Sequence, residues 1–155
     1  MSDKTLAPPG GDPVSAAPQI LMVEDDPNDA FLIQRALRRA GLPAAVHVSN
    51  GEEAVDYLSA RGKYVDRTLP RLMLLDLKLP RLSGLGVLRW LRGEPGLKFL
   101  SVVMLISSAL RSDIESAYAP YTNSYLVKPV DADALKEMIR SLGTYWLELN
   151  RSPEI

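Results

Sequence analysis

The chain has 155 residues, enough for one domain with a substantial core and too few for two ordinary domains. Its 46% hydrophobic and 24% charged residues are typical of a soluble globular protein, and a net charge of -1 with interspersed signs gives no basic stripe for nucleic acid. No apolar run approaches the ~18 residues of a membrane span, so we expect neither nucleic acid nor membrane as a partner. Cysteine is absent, which excludes disulfides and thiolate metal sites and makes the cytoplasm the expected location.

The first 18 residues differ in composition from the rest of the chain. They contain four prolines and two adjacent glycines, with little that a core would bury. We therefore expect residues 1–18 to form a disordered arm, and residues 19–150 to form the folded domain with an extended C-terminal helix.

Within that domain, short apolar runs alternate with segments of helical periodicity. The five predicted strands cover residues 20–23, 44–48, 72–76, 101–105 and 124–127. The helical segments begin after Asp26, at Asn50, after Ser83-Gly84, near Ile114 and after Asp131, with Asp26 and Asp131 as N-caps. This fivefold strand–helix order predicts one mainly parallel sheet with right-handed crossovers and helices on both faces.

The third predicted strand is the most informative stretch. Four apolar residues lead to Asp76, and Pro80 follows four positions later. A continuous apolar run of this length is typical of a strand buried on both faces, and an isolated carboxylate is costly in such a core. We therefore expect Asp76 at the carboxyl end of the strand, where a parallel sheet opens into a crevice.

Charged residues also end the first and fifth strands. Glu24 and Asp25 follow the first strand, and Lys128 follows the fifth. For the strand order 2-1-3-4-5, the crevice lies between the first and third strands, so these side chains should meet Asp76 there. Three carboxylates repel one another unless a cation neutralises them, and oxygen ligands suit Mg²⁺ or Mn²⁺. A carboxylate nucleophile beside such a cation and a lysine predicts an acyl phosphate on Asp76.

Four separated motifs resemble the receiver domain of two-component response regulators: Glu24-Asp25, residues 75–80, Gly84 and residues 125–129. The resemblance covers residues 19–142 and implies a flavodoxin-like, doubly wound α/β fold. It also implies that a sensor histidine kinase phosphorylates Asp76, that Lys128 pairs with the phosphate, and that Tyr125 is the switch aromatic.

The resemblance further implies a metal site. Its ligands would be Glu24, Asp25, Asp76 and the backbone carbonyl of Lys78. In this family the peptide before the last motif's proline is often cis, which would apply to Lys128 and Pro129.

One position departs from the family pattern. Receivers carry a serine or threonine at the end of the fourth strand, and at the family spacing this chain has Ile106, with Ser107 next to it. Either a local shift lets Ser107 bind the phosphate, or the hydroxyl is missing and the coupling to Tyr125 is weaker. Loss of a charge-assisted hydrogen bond costs about 1.5–3 kcal/mol.

A finer resemblance is to single-domain regulators that partner phytochrome-type histidine kinases. It rests on the long connection at residues 61–64, the stretch at residues 94–98 and Trp146-Leu147 near the C-terminus. Tyr145 and Trp146 lie beyond the usual receiver length, so we expect them to form the seam of a homodimer rather than cover the domain's own core.

These patterns predict a receiver domain that acts alone through protein contacts and is not a classical enzyme. Two other readings stay open. A pseudo-receiver would bind partners without phosphorylation, and Ile106 is the feature that favours it. A haloacid-dehalogenase-type phosphatase would need a second aspartate where this chain has Lys78. His47, the one histidine, has no second histidine or cysteine near it in sequence and is expected to be structural.

Overall fold

The computed structural model describes residues 20–77, 79–106 and 122–151. The strands are β1 (Ile20–Val23), β2 (Val46–Val48), β3 (Leu72–Asp76), β4 (Ser101–Ile106) and β5 (Ser124–Val127). The helices are α1 (Pro27–Arg39), α2 (Gly51–Leu58), a 3₁₀ turn (Gly62–Tyr64), α3 (Gly84–Arg92) and α4 (Ala132–Gly143). The helix predicted near Ile114 lies outside the described residues.

The five strands form one sheet in the order β2-β1-β3-β4-β5, and every neighbouring pair is parallel. This is the predicted order 2-1-3-4-5, and the flavodoxin-like fold is confirmed. In the register, Val23 of β1 lies opposite Leu75 of β3. The residues that follow β1 are therefore placed beside Asp76, at the carboxyl edge of the sheet.

Two apolar cores cover the two faces of the sheet. Alternate residues of β1 belong to different cores, with Leu21 and Val23 on one face and Ile20 and Met22 on the other. Helices α2 and α3 pack on the first face, and α1 and α4 pack on the second. Because β1 is buried on both faces, its sequence is continuously apolar rather than alternating.

Side-chain caps fix where four helices begin. In each case an oxygen of the cap accepts a hydrogen bond from a backbone N–H two or three residues later, at 2.8–3.1 Å. The four caps are Asp26, Asn50, Ser83 and Asp131. Each follows the carboxyl end of a strand by a few residues, so the caps also order the loops around the crevice.

The long connection before β3 is held against α2. Arg67 donates to the backbone carbonyl oxygens of Tyr57 and Leu58 at 3.1 and 2.7 Å, which satisfies the last turn of the helix. The Tyr57 hydroxyl donates to the carbonyl oxygen of Thr68 at 3.1 Å, and the Tyr57 ring is buried. These contacts hold the connection in a fixed position against α2 although it is longer than most loops.

The C-terminal helix continues past α4 as a π-helical segment, Thr144–Leu149. Leu135, Ile139 and Leu142 are buried, whereas Tyr145 is 51% exposed and Leu149 is 65% exposed. Within the part of the chain that the structure describes, no helix is both long and apolar enough to cross a bilayer.

Candidate functional site

Three carboxylates meet at the carboxyl ends of β1 and β3. One oxygen from each of Glu24, Asp25 and Asp76 lies within 4.8 Å of the others. The three side chains differ in burial, because Glu24 is only 2% exposed, Asp76 is half-buried and Asp25 is exposed. The predicted convergence of these residues is confirmed.

Lys128 reaches this cluster from the end of β5. Its Nζ donates to Glu24 Oε1 at 2.8 Å and to Asp29 Oδ2 at 3.0 Å, and its side chain is 12% exposed. Burial acts to lower the pKa of Lys128, but the hydrogen bonds to Glu24 and Asp29 and the charges of Glu24 and Asp76 outweigh it, so the pKa is raised. Lys128 is therefore a fixed positive charge beside the carboxylates.

Asp29 is the residue of this site that the sequence analysis missed. It lies in the first turn of α1, where an acidic residue is ordinarily explained by the helix dipole. Its partner Lys128 is 99 residues away in the chain. The only sequence signal was therefore an acid at a helix N-terminus, which has a sufficient local explanation.

Backbone contacts hold Glu24 in place. Its N–H donates to the carbonyl oxygen of Val48 at 3.1 Å, and its second carboxylate oxygen accepts from the N–H of Asp26 at 3.2 Å. His47 Nε2 lies 2.7 Å from the carbonyl oxygen of Glu24. Because a carbonyl oxygen only accepts, this nitrogen carries the proton, and His47 supports the loop that bears the cluster.

Gly84 allows the loop after β3 to pass close to the end of the strand. A Cβ atom at position 84 would lie 3.0 Å from the carbonyl oxygen of Leu77 and closer still to that of Asp76. The Gly84 N–H donates to the carbonyl oxygen of Leu77 at 3.2 Å. A glycine is thus required at position 84 by the close approach of the Asp76 and Leu77 backbone.

The same loop is tied to α2. Arg81 has a positive φ of 69° and donates from Nε to Glu52 Oε1 at 2.7 Å. A Cβ atom at Gly51 would collide with the carbonyl oxygen of Leu82. The start of α2 therefore packs directly on the loop that follows Asp76.

The donor set fits a hard divalent cation. Carboxylate oxygens are the ligands that Mg²⁺ and Mn²⁺ prefer, and three carboxylates have oxygens within 4.8 Å of one another. Their combined negative charge exceeds the single positive charge of Lys128. Glu24, Asp25 and Asp76 are the residues that would hold the ion. The fourth predicted ligand, the backbone carbonyl of Lys78, lies outside the described residues, so its role stays a prediction.

The structure describes only part of the predicted phosphate-binding hydroxyl and switch aromatic. Ile106 has an alkyl side chain without a hydrogen-bond donor, and it is 2% exposed in the core beneath α2 and α3, so it offers no group to a phosphate. Ser107 lies outside the described residues. Tyr125 is half-buried against the same core, and its switch role stays a prediction.

The peptide bond before Pro129 corrects one expectation. The described residues contain no cis peptide bond, so the cis bond between Lys128 and Pro129 that the resemblance implied is not found. For an X–Pro bond the trans form is the more stable by about 0.5–1 kcal/mol in the absence of constraining contacts.

The predicted dimer residues lie along a groove between β5 and the C-terminal helix. The groove encloses about 400 Å³, and Leu126, Met138, Tyr145 and Trp146 are among its lining residues. The rings of Tyr145 and Trp146 contact each other edge to face, with centroids 4.9 Å apart. The predicted seam residues therefore differ: Tyr145 is exposed, whereas Trp146 is half-buried and packs against the domain's own core on the face of α1 and α4. Their role in a dimer stays a prediction.

The family follows from comparison with known proteins. A family model for the response regulator receiver domain matches residues 20–140. The chain belongs to this receiver family. The receiver is similar to FilR2 of Methanothrix harundinacea, a probable methanogenesis regulatory protein, with 39% identity over 135 residues, or 86% of each chain. It is also similar to response regulator Rcp1 of Synechocystis sp., with 33% identity over 130 residues, covering 83% of this chain and 88% of Rcp1.

Close structural neighbours of the receiver are phytochrome response regulators. The phosphorylated cyanobacterial phytochrome response regulator RcpA matches with a TM-score of 0.81 and 35% identity, covering 90% of this chain and all of RcpA. The Mn²⁺-bound form of Rcp1 matches with a TM-score of 0.77 and 30% identity, covering 88% and 99% of the two chains. The predicted family is confirmed, and so is the predicted resemblance to phytochrome response regulators.

Proposed function

We propose that this receiver accepts a phosphoryl group on Asp76 from a sensor histidine kinase and signals through protein contacts. The observation that carries the proposal is the convergence of Glu24, Asp25 and Asp76 within 4.8 Å, with Lys128 bound beside them. A lone acceptor carboxylate would give no reason for two further acids and a buried ammonium at the same strand ends.

The reaction is an in-line displacement at phosphorus. A carboxylate oxygen of Asp76 attacks the phosphorus atom of a phosphohistidine, the new O–P bond forms as the P–N bond breaks, and the electron pair of that bond stays on the imidazole nitrogen. Lys128 supplies a positive charge for the phosphoryl oxygens. A bound Mg²⁺, for which Mn²⁺ can substitute, would neutralise the same oxygens from the side of Glu24 and Asp25.

Intact-mass measurement tests phosphoryl acceptance. Wild type, Asp76→Asn and the exposed control Asp66→Asn are incubated with acetyl phosphate, with Mg²⁺ or with EDTA. We expect a Mg²⁺-dependent phosphoryl adduct on wild type and on Asp66→Asn, and none on Asp76→Asn. If wild type takes up no phosphoryl group while another receiver is labelled under the same conditions, the reading as a phosphorylation-independent pseudo-receiver replaces this one.

We further propose a phytochrome-type kinase as the phosphoryl donor. The similarity to RcpA and Rcp1 supports a light-sensing partner, whereas the name of FilR2 refers to methanogenesis. Transfer rates from an autophosphorylated phytochrome kinase and from an unrelated histidine kinase would separate these possibilities. Equal rates from the two kinases would count against a phytochrome partner.

Homodimer formation through the groove of Tyr145 and Trp146 is the proposed output. Light scattering with and without beryllofluoride, a mimic of the phosphoryl group, compares wild type with Trp146→Ala. Phe99→Ala is the control, because Phe99 is an aromatic residue with 49% exposure outside the groove. A monomer in every sample would refute the dimer.

The receiver is proposed to be its own substrate rather than a classical enzyme. Asp76 takes up the phosphoryl group and later loses it to water, which releases inorganic phosphate and restores the free carboxylate of Asp76. The absence of cysteine supports a cytoplasmic location, where a kinase would meet it. Hydrolysis of a generic phosphomonoester would instead support the phosphatase reading.

A further inference from the structure

In the proposed function, the Lys128 ammonium binds the phosphoryl group on Asp76. In this structure Asp29 binds the same ammonium. Its Oδ2 lies 3.0 Å from Lys128 Nζ, close to the 2.8 Å that separates the same nitrogen from Glu24 Oε1. An ammonium has three donor hydrogens, so two of the three are directed at carboxylates. Both contacts are charge-assisted and within ordinary hydrogen-bond distance.

The two carboxylates that hold Lys128 are not equivalent. Glu24 is one of the three acids whose oxygens meet within 4.8 Å, so a divalent cation would compete with Lys128 for it. Asp29 does not belong to that group of three, and its side chain is 35% exposed. Asp29 is therefore the partner that Lys128 can keep while the cation is bound.

Helix α1 fixes the position of Asp29. The helix begins at Pro27, and Asp26 caps it by accepting from the N–H of Asn28 at 2.9 Å. The N–H of Ala30 donates to the carbonyl oxygen of Asp26 at 2.9 Å, which closes the first turn around Asp29. The carboxylate thus stands on a rigid turn directly after the loop of Glu24 and Asp25.

We propose that Asp29 is a positioning residue: it holds Lys128 at the contact seen here, and Lys128 must leave that contact to bind a phosphoryl group on Asp76. This inference rests on the proposed function. A carboxylate at this position has opposite effects on the two ligands of the site. Its negative charge attracts a divalent cation, but it repels the phosphoryl dianion and competes with it for Lys128.

Replacement of Asp29 should therefore shift the two affinities in opposite directions. In Asp29→Asn, we expect the dissociation constant for Mn²⁺ to rise about threefold and the concentration of beryllofluoride that half-saturates the protein at saturating Mg²⁺ to fall about threefold. Mn²⁺ binding is followed by electron paramagnetic resonance, and bound beryllofluoride by fluorine NMR. Asp29→Glu, which keeps the carboxylate, should return both values towards wild type.

Asp133→Asn is the matched control. Asp133 is also an acid in the first turn of a helix, and it pairs with Arg39 at 3.7 Å with 84% of its side chain exposed. The change removes the same charge from an equivalent place relative to a helix dipole. We expect it to leave both affinities within about twofold of wild type.

The outcomes separate the inference from the proposed function. Weaker binding of both ligands by Asp29→Asn would mean that Asp29 only maintains the structure of the site, and unchanged binding of both would mean that it does not act on Lys128; either result overturns the inference while wild type still binds beryllofluoride. If wild type binds no beryllofluoride and takes up no phosphoryl group, the proposed function and this inference fall together.

Discussion

Lys128 shows how a single side chain stabilises a crowded acidic site. Its ammonium is almost enclosed and contacts two carboxylates, one of which, Glu24, is 2% exposed. Loss of one partner of a buried ion pair leaves the other charge uncompensated, and such changes cost about 3–5 kcal/mol. The pairing therefore contributes to the folded state as well as to the chemistry proposed for Asp76.

The raised pKa of Lys128 predicts a pH dependence of stability. The folded state holds the proton more tightly than the unfolded state, so the stabilisation is complete below the ordinary pKa of 10.5 and is lost as the pH rises through the higher folded value. Urea unfolding should show Lys128→Met about 3 kcal/mol less stable than wild type at pH 8, with the gap narrowing above pH 10.5. Lys98→Met, at an exposed lysine, is the control, and a gap that stays constant through pH 11.5 would contradict the assignment.

At the scale of secondary structure, the loop between β3 and α3 connects Asp76 to the helices. Gly84 contacts the backbone of Asp76 and Leu77 on one side of this loop. On the other side, Arg81 pairs with Glu52 at the start of α2. A change in the loop would therefore alter both the position of Asp76 and the packing of α2.

Gly84→Ala tests that connection. The added methyl group would collide with the carbonyl oxygens of Asp76 and Leu77, so we expect a loss of about 1–3 kcal/mol in unfolding free energy and slower phosphoryl uptake from acetyl phosphate. Gly96→Ala is the control, because a Cβ atom there meets nothing within 4 Å. Equal stability and uptake in the two variants would show that the loop accommodates the methyl group.

The elements were predictable from sequence to different degrees. The bounds of β1 and β5, the caps Asp26 and Asp131 and the helix start at Asn50 agree with the predictions, because continuous apolar runs and capping residues are local signals. The second strand is shorter than predicted, beginning at Val46 rather than residue 44. The Gln34 side chain instead hydrogen-bonds the backbone of Ala45, because it donates to the Ala45 carbonyl oxygen at 2.7 Å and accepts from its N–H at 3.0 Å.

Other features depend on contacts that no local pattern contains. The hydrogen bonds from Arg67 to the end of α2 join residues nine and ten positions apart within a connection that reads only as polar. Asp29 meets Lys128 only because α1 and β5 both reach the carboxyl edge of the sheet. The acidic cluster itself was predictable, since the ends of parallel strands meet by topology and not by the details of packing.

For the whole molecule, three neighbouring carboxylates oppose folding unless their charge is neutralised. Lys128 offsets one charge, and Arg81 and Glu52 neutralise each other elsewhere around the crevice. Together Glu24, Asp25 and Asp76 carry more negative charge than Lys128 alone offsets, and a divalent cation would offset more of it. Since only the folded chain brings the three acids within 4.8 Å, a bound divalent cation should stabilise the fold as a whole.

Thermal unfolding with Mg²⁺ and with EDTA measures this linkage. At a Mg²⁺ concentration about ten times its dissociation constant, the stabilisation is about 1.4 kcal/mol, which corresponds to a rise of about 3–6 °C in Tm. Asp25→Asn should lose most of this rise, because it removes an exposed carboxylate of the cluster without opening a cavity in the core. The control Asp66→Asn should keep the full rise. If Tm rises equally in Asp25→Asn, Mg²⁺ stabilises the protein through general surface charge. The three acids would then not be the metal site.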